Sequence, residues 1–271
     1  MSKKILILGA KSGLGKEISK AFKSKKFKLR KISRSEIDYL KINNLKKILN
    51  KFHADYVINC AAITDKSKCD KNYELTKFVN GFFPIKVANI LLKKNIFFIH
   101  FSTDLVFNNK LLPSNLVKTN PKTTYAKSKL IAEKIYKKKN CLVIRLPQII
   151  GLRRKDFFSE VFSSIKKKKI TKVYSNYYFT PIFYENIIKF LHNYVFKNKK
   201  KNLFKENKII QLSNNNLISK YDFIKKYLTF HNKKYIKKDK LDKKLLTGLK
   251  SNIKLNYNYK KSAIKKIYNL I

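Results

Sequence analysis

The sequence predicts an α/β protein, a doubly wound parallel sheet with a smaller C-terminal lobe. Two observations carry that expectation. Short apolar strands alternate with amphipathic helices over the first 150 residues at the spacing of βαβ units. Three of only six glycines, Gly9, Gly13 and Gly15, crowd behind the first apolar run. A chain of 271 residues that is 44% hydrophobic and 13% aromatic can bury such a core despite its charge.

Lys4 to Leu8 reads as a short buried strand, and Leu14 to Phe22 as a helix with Ile18 and Phe22 on one face. Phe27 to Ile32 is a second strand, Leu45 to Phe52 a helix, and Asp55 to Asn59 a third strand. A long helical stretch covers Tyr73 to Leu92, followed by the strongly apolar strand Ile96 to Phe101. A helix from Thr124 to Tyr136 precedes the strand Leu142 to Leu146. Beyond Gly151 the pattern loosens. Helices are expected over 156–168, 184–196 and 219–230, a strand over Lys208 to Leu212, and a surface loop over the Lys/Asn-rich residues 197–207.

Charge sets further limits. The chain carries 64 Lys+Arg against 16 Asp+Glu, a formal +48 that invites a phosphate-bearing partner. Only five of the 64 are Arg (Arg30, Arg34, Arg145, Arg153, Arg154), leaving 59 lysines spread along the whole chain. With Asn, Ile, Phe and Tyr abundant and Gly, Pro and Trp scarce, that is the composition of an AT-rich coding sequence. No nucleic-acid-binding module accompanies the charge, so no specific nucleic acid is expected. No run of 18 apolar residues exists, so no membrane span is expected, and the apolar start is too short for a signal-peptide core. Cys60, Cys69 and Cys141 form no CxxC pair, which argues against a disulfide scaffold or zinc ribbon and for a reduced cytoplasm.

Against this biased background the rare residues are informative. A strand leading into Gly9-Ala-Lys-Ser12-Gly13-Leu14-Gly15 and then a helix would set backbone N–H groups and the positive helix end against a pyrophosphate. That makes residues 1–150 a Rossmann-type NAD(P)-binding domain, with 151–271 a smaller substrate-binding lobe partly interleaved with its sheet. The second strand ends Ile32-Ser33-Arg34, with an arginine where an NAD-specific site would carry an acid, so NADPH is favoured over NADH.

Phe101-Ser-Thr-Asp104 ends the fourth strand, and Tyr125-Ala-Lys-Ser-Lys129 opens the helix that follows. Tyr125 and Lys129 lie one turn apart on one helical face. A tyrosine hydroxyl can act as general acid to a carbonyl oxygen when a neighbouring ammonium lowers its pKa. The spacing alone is uninformative: with so many Tyr and Lys, about three or four YxxxK matches arise by chance. Four occur, at Tyr73, Tyr125, Tyr221 and Tyr257, and only Tyr125 follows a strand-terminal Ser-Thr-Asp.

Taken in order, the glycine loop, Val57-Ile-Asn-Cys-Ala-Ala-Ile-Thr64, Val79-Asn80, Phe101-Ser-Thr-Asp-Leu-Val-Phe107 and Tyr125-Ala-Lys-Ser-Lys-Leu-x-x-Glu133 resemble the extended short-chain dehydrogenase/reductases, and within them the dTDP-4-dehydrorhamnose reductase branch. The match covers about residues 4 to 151 and continues weakly through Thr180-Pro181 and Glu185-Asn186. The resemblance implies reduction of the 4-keto group of a nucleotide-activated deoxysugar for surface polysaccharide synthesis. Thr103 would bind the substrate carbonyl, Tyr125 would donate the proton, and Lys129 would lower the tyrosine pKa and bind the nicotinamide ribose. Asp38 and Tyr39 would lie near the adenine, Cys60, Ala61 and Ala62 would line the cofactor, and Asn80 would support the site from the fourth helix. Asp104 and Gln148 would contact substrate.

Some features depart from the branch. Leu105 stands where a tyrosine follows Ser-Thr-Asp, Gln148 stands where an aromatic is common, and the C-terminal Arg-Pro is missing. Some relatives bridge a dimer through Mg²⁺, using acids at positions like Glu17 and Glu185 together with a C-terminal one. No acid follows Asp242 here, so no metal is expected, while a homodimer stays open. Of His53, His100, His192 and His231, none is placed as a ligand or base, and Cys60 reads as a small packing residue. Two other classes compete: a catalytically idle NADP-binding regulator, and a nucleic-acid-binding protein built on the charge.

Overall fold

The computed structural model describes residues 2–36, 42–107, 118–151, 157–197, 209–228 and 231–251. Its centre is a six-stranded sheet of β1 (Lys3–Leu8), β2 (Phe27–Ile32), β3 (Tyr56–Asn59), β4 (Phe97–Thr103), β5 (Cys141–Leu146) and β10 (Ile209–Gln211). The strand order is β10-β5-β4-β3-β1-β2, and every pairing is parallel. Strands alternate with α1 (Gly13–Ala21), α2 (Asn43–Phe52), α3 (Lys66–Lys71), α4 (Tyr73–Lys77), α5 (Phe83–Lys93) and α6 (Thr124–Glu133).

Alternate residues of β1 feed two cores, which is what doubly wound means in residue terms. Ile5 and Ile7 pack with Leu14, Ile18 and Phe22 of the α1 face, whereas Leu6 and Leu8 pack with Leu45, Leu49, Val79, Phe83 and Val87 of the opposite one. From β1 the chain winds one way to β2 and the other way to β3, so the sheet's switch point lies at the carboxyl ends of β1 and β3, where ligands of such folds bind.

The C-terminal lobe comprises β6 (Ile149–Ile150), α7 (Phe157–Lys166), β7 (Thr171–Tyr174), β8 (Tyr177–Phe179), β9 (Ile182–Phe183), α8 (Tyr184–Phe190), β11 (Ile218–Ser219), α9 (Lys220–Tyr227), β12 (Ile236–Asp239) and β13 (Leu245–Leu246). Its own core gathers Phe158, Phe162, Phe179, Phe183, Phe223 and Tyr227. The span also returns to the central sheet: Ile187 and Phe190 of α8 pack in the core with Ile5, Ile18 and Phe22, and β10 pairs beside β5.

The early elements lie within two residues of their sequence expectations, and the differences have local causes. The stretch Tyr73–Lys93 is not a uniform α-helix, because Phe78–Phe82 forms a π turn in which the Phe83 N–H donates to the Phe78 carbonyl. Pro84 has no N–H for the Asn80 carbonyl four residues back, and one wider turn relieves that defect. The helix expected to end at Tyr136 tightens to 3₁₀ over Lys134–Lys137, and the one over 184–196 ends in a π turn at Leu191–Phe196. Helix α3, capped by Asp65 on the Lys68 N–H at 2.9 Å, was not expected, nor were the two- to four-residue strands of the lobe. The loop expected over 197–207 lies almost wholly outside the described residues.

Candidate active site

The glycine loop sits at the switch point. Gly9 has φ +71°, and a Cβ there would lie 2.5 Å from the Ala61 nitrogen, so only glycine lets β1 pass this close to the end of β3. A Cβ on Gly15 would strike the Gly9 carbonyl. Ser12 caps α1, accepting the Gly15 N–H at 3.1 Å, while its own N–H donates to the Gly9 carbonyl at 2.9 Å. Gly13 opens the helix half-buried, and Leu14 is buried beneath it as a packing residue. A backbone cradle that side chains would fill, at the positive end of a helix, fits a pyrophosphate. Ala61 is buried beside it, with Cys60 and Ala62 half-buried.

Arg34 lies exposed in the turn after β2. The acid nearest in sequence, Glu36, is committed: it accepts the Ser33 N–H at 3.2 Å and pairs with Arg30 at 2.7 Å. Asp38 and Tyr39 lie outside the described residues.

Across the sheet, one face carries a buried polar stripe that meets α6. His100 and Ser102 alternate with Ile99 and Phe101 on β4; Asn59 on β3 is in register with His100, and Arg145 on β5 with Ser102. Glu133 of α6 takes both Arg145 Nε and Nη2, at 2.9 and 2.7 Å, and accepts the Ser102 hydroxyl at 2.6 Å. The Arg145 guanidinium also stacks 4.8 Å over the Phe107 ring. This fully bonded pair anchors α6 to the sheet.

One turn earlier on α6, Lys129 is buried, its Nζ 3.2 Å from His100 Nε2. Asn59 Oδ1 is taken by the Ala61 N–H at 3.1 Å, so its amide nitrogen donates to His100 Nδ1, also at 3.1 Å. A neutral imidazole whose Nδ1 accepts must carry its proton on Nε2, facing Lys129. Lys129 thus meets a donor, which favours its neutral amine. Burial drives its pKa down to about 8 against the pull of Glu133 and Cys60. The same burial, together with the Lys129 charge, holds His100 well below the ordinary histidine range. Burial also raises the Cys60 thiol, though Lys129 opposes it, so Cys60 is no thiolate nucleophile.

Tyr125 is half-buried in the first turn of α6, which Thr123 starts by capping the Ala126 N–H at 3.2 Å. Asn80 sits in the π turn, not in a regular helix as expected from sequence. It accepts the Ile63 N–H at 2.8 Å and donates to the Ile63 carbonyl at 2.9 Å and the Ser128 hydroxyl at 3.1 Å. Ser128 in turn donates to the Tyr125 carbonyl at 2.7 Å. Asn80 therefore ties the β3–α3 loop to the turn that carries Tyr125. A Cβ on neighbouring Gly81 would press on Ile131 and the Ser128 carbonyl at 3.0 Å, so glycine sets how closely these helices approach.

Thr103 ends β4 with its hydroxyl donating to Asp104 Oδ1 at 3.0 Å and accepting the Leu105 N–H at 3.3 Å. Asp104 is buried, and burial lifts its pKa to about 6 against the Thr103 hydroxyl and backbone N–H groups that include Gly248. Gln148 is half-buried just past β5, its carbonyl accepting the Ile182 N–H at 3.1 Å. No group of three or more His, Cys, Asp or Glu placed to hold a metal occurs among the described residues.

Thr103, Lys129, Asn80 and the glycine loop thus converge on the carboxyl ends of β1, β3 and β4. Residue types alone missed His100 and Arg145. The available signal was two polar residues at i and i+2 in an otherwise apolar strand, matched by Lys129 and Glu133 one turn apart on the next helix.

Comparison with known proteins agrees with this architecture. A probable low-salt glycan biosynthesis reductase of Haloferax volcanii is 33% identical over 122 residues, 44% of this chain and 41% of that protein. A spore coat polysaccharide biosynthesis protein of Bacillus subtilis is 25% identical over 188 residues, 68% of this chain and 66% of that one. The chain thus spans less than two thirds of the length of either relative. A crystal structure of a dTDP-4-dehydrorhamnose reductase from Clostridium acetobutylicum has the same fold, with a TM-score of 0.84, 21% identity and coverage of 98% and 99% of the two chains. The family model of the RmlD substrate binding domain matches residues 3–243, nearly all of the described fold, and the chain belongs to that family.

Proposed function

We propose that the protein is an NADPH-dependent oxidoreductase that reduces the 4-keto group of a nucleotide-activated deoxysugar for surface polysaccharide synthesis. The observation that carries this reading is the glycine cradle at the switch point, with Thr103 ending β4 and Lys129 buried against His100 of that strand; Tyr125 lies one turn before Lys129 on α6. Gly9 to Gly15, Cys60, Ala61, Ala62, Asn80 and Arg34 would hold the cofactor; when bound, a reduced nicotinamide supplies hydride to a carbonyl carbon. The chain's own part is to orient the carbonyl and supply the proton. Thr103 turns its hydroxyl from Asp104 to the carbonyl oxygen, which frees Asp104 to accept a sugar hydroxyl. Tyr125 delivers the proton, and Lys129 as ammonium stabilises the phenolate left behind. Gln148 lines the substrate side.

The relatives' roles in glycan and polysaccharide synthesis support this reading, as does a dTDP-4-dehydrorhamnose reductase of Bacillus anthracis solved with NADP, which shares the fold at a TM-score of 0.81. On this reading, residues 1–150 bind the cofactor and 151–271 the substrate. The site is cytoplasmic, in keeping with three free cysteines and with no helix among the described residues long and apolar enough to cross a membrane. No specific nucleic acid is involved. A homodimer would use the exposed Leu75 and Phe82, seven residues apart on the α4–α5 helix.

The test follows NADPH absorbance with a panel of 4-keto nucleotide sugars. Tyr125→Phe should lower kcat by at least about 100-fold. Turnover unaffected by that change removes Tyr125 as the acid, and tight NADPH binding without turnover of any sugar favours an idle regulatory relative.

A further inference from the structure

Of 59 lysines, only two are buried among the described residues, Lys129 at 3% exposure and Lys220 at 9%. Lys129 belongs to the site above, whereas Lys220 has no part in it. Lys220 opens α9 on the C-terminal lobe, with Nζ 3.8 Å from the Tyr177 ring centroid and 4.5 Å from that of Phe157. Aromatic faces attract an ammonium but supply no counter-charge. No acid among the described residues pairs with it. Asp222, the acid nearest in sequence, is bonded to the Ser219 hydroxyl and N-terminal in its own helix turn. The charge facing Lys220 from the other lobe is a second cation, Lys66 at the start of α3. Burial and Lys66 together lower the Lys220 pKa to about 8.

A buried ammonium that faces a second, exposed cation, with no anion among the described residues to pair with it, is an incomplete electrostatic site. Its position is informative. Tyr177, the ring under Lys220, is hydrogen-bonded through its hydroxyl to Thr247 and feels the charge of Asp104. Gly248, next in the chain, gives its N–H to Asp104. Tyr177 therefore touches Lys220 and lies within electrostatic reach of Asp104, the neighbour of Thr103.

We propose that Lys220, with Lys66 across from it, binds the phosphates of the nucleotide portion of the substrate, while Tyr177 and Phe157 hold the ammonium in place. This rests on the sugar-nucleotide reading and assigns that substrate's anionic part to named residues.

The test is calorimetric titration of the intact protein with dTDP, UDP, GDP, thymidine and NADPH. Lys220→Met keeps the length and apolar contacts of the stem. It should weaken the best diphosphate by at least about tenfold, leave NADPH affinity within about twofold, and leave thymidine unaffected. Lys220→Arg should restore part of the loss. Diphosphate affinity unchanged in Lys220→Met, or lost in equal measure with NADPH affinity, overturns the proposal. If Lys220→Met fails to fold, Lys66→Ala decides, since Lys66 is exposed: weaker diphosphate binding supports the subsite and unchanged binding overturns it. A wild-type protein that binds no diphosphate overturns it as well. The activity reading fails separately, by absence of NADPH oxidation with every sugar, an outcome the binding experiment does not depend on.

Discussion

Asp104 shows how one buried carboxyl couples stability to chemistry. Its pKa, raised from 3.8 to about 6 by burial, means that the native state binds more protons than the unfolded chain between those values. Its contribution to stability is therefore complete below about pH 4 and lost as pH rises through 6. Asp104→Asn removes the ionisation. Chemical denaturation should show the variant more stable than wild type at pH 7.5, by up to about 3 kcal/mol, with the two converging near pH 4. On the proposed mechanism activity should fall in the same variant, because the proposed acceptor for a sugar hydroxyl is weakened. His100 makes the second residue-scale prediction. With the Lys129 pKa lowered to about 8, the proposed mechanism has kcat/KM decline above that value. In His100→Gln the side-chain oxygen can face the ammonium, with Glu133 and Cys60 still attracting it. The alkaline limb should then move up by about one unit. An unmoved limb would mean that His100 does not control the charge on Lys129. Thr103, Tyr125, Lys129 and Glu133 were legible in the sequence because their spacings are local. His100 was not, because its partners on β3 and α6 come from 41 and 29 residues away.

At the scale of elements, α6 is fixed to the sheet by one saturated ion pair, Glu133 with Arg145. Glu133→Gln leaves the guanidinium buried without its counter-charge and should cost about 3–5 kcal/mol, read by denaturant unfolding. The entry of the chain into α1 depends on Gly9 in the same way. Gly9→Ala forces a Cβ to 2.5 Å from the Ala61 nitrogen at φ +71°. It should cost at least about 2 kcal/mol and abolish NADPH binding, read by thermal melting and ligand titration. Strands and helices of the first 150 residues were legible because each carries a periodic apolar pattern of adequate length. The lobe's strands are two to four residues long, too short for any period to show, and their partners are distant in sequence. The π turn that places Asn80 follows from Pro84, a local signal, but its use becomes visible only when Ile63 and Ser128 are seen against it.

At the scale of the whole molecule, the basic excess among the described residues lies at the surface, since of their lysines and arginines only Lys129, Lys220 and Arg145 are buried. A dispersed positive field should aid capture of anionic cofactor and substrate without touching the chemical step. Raising salt from about 50 to 500 mM should increase KM for NADPH several-fold and leave kcat within about twofold; a salt-independent KM would leave the charge without a role in capture. By itself the sequence determined the fold class, the glycine cradle and the order of the candidate site motifs, because backbone periodicity and glycine's steric freedom act over a few neighbouring residues. Only the tertiary structure decided that His100 reads the charge of Lys129, that Glu133 is held by Arg145, and that Lys220 is buried in an aromatic box. Burial and long-range contact, not residue type, set those charges, and in a chain with 59 lysines no local pattern distinguishes Lys129 and Lys220, the two buried among the described residues.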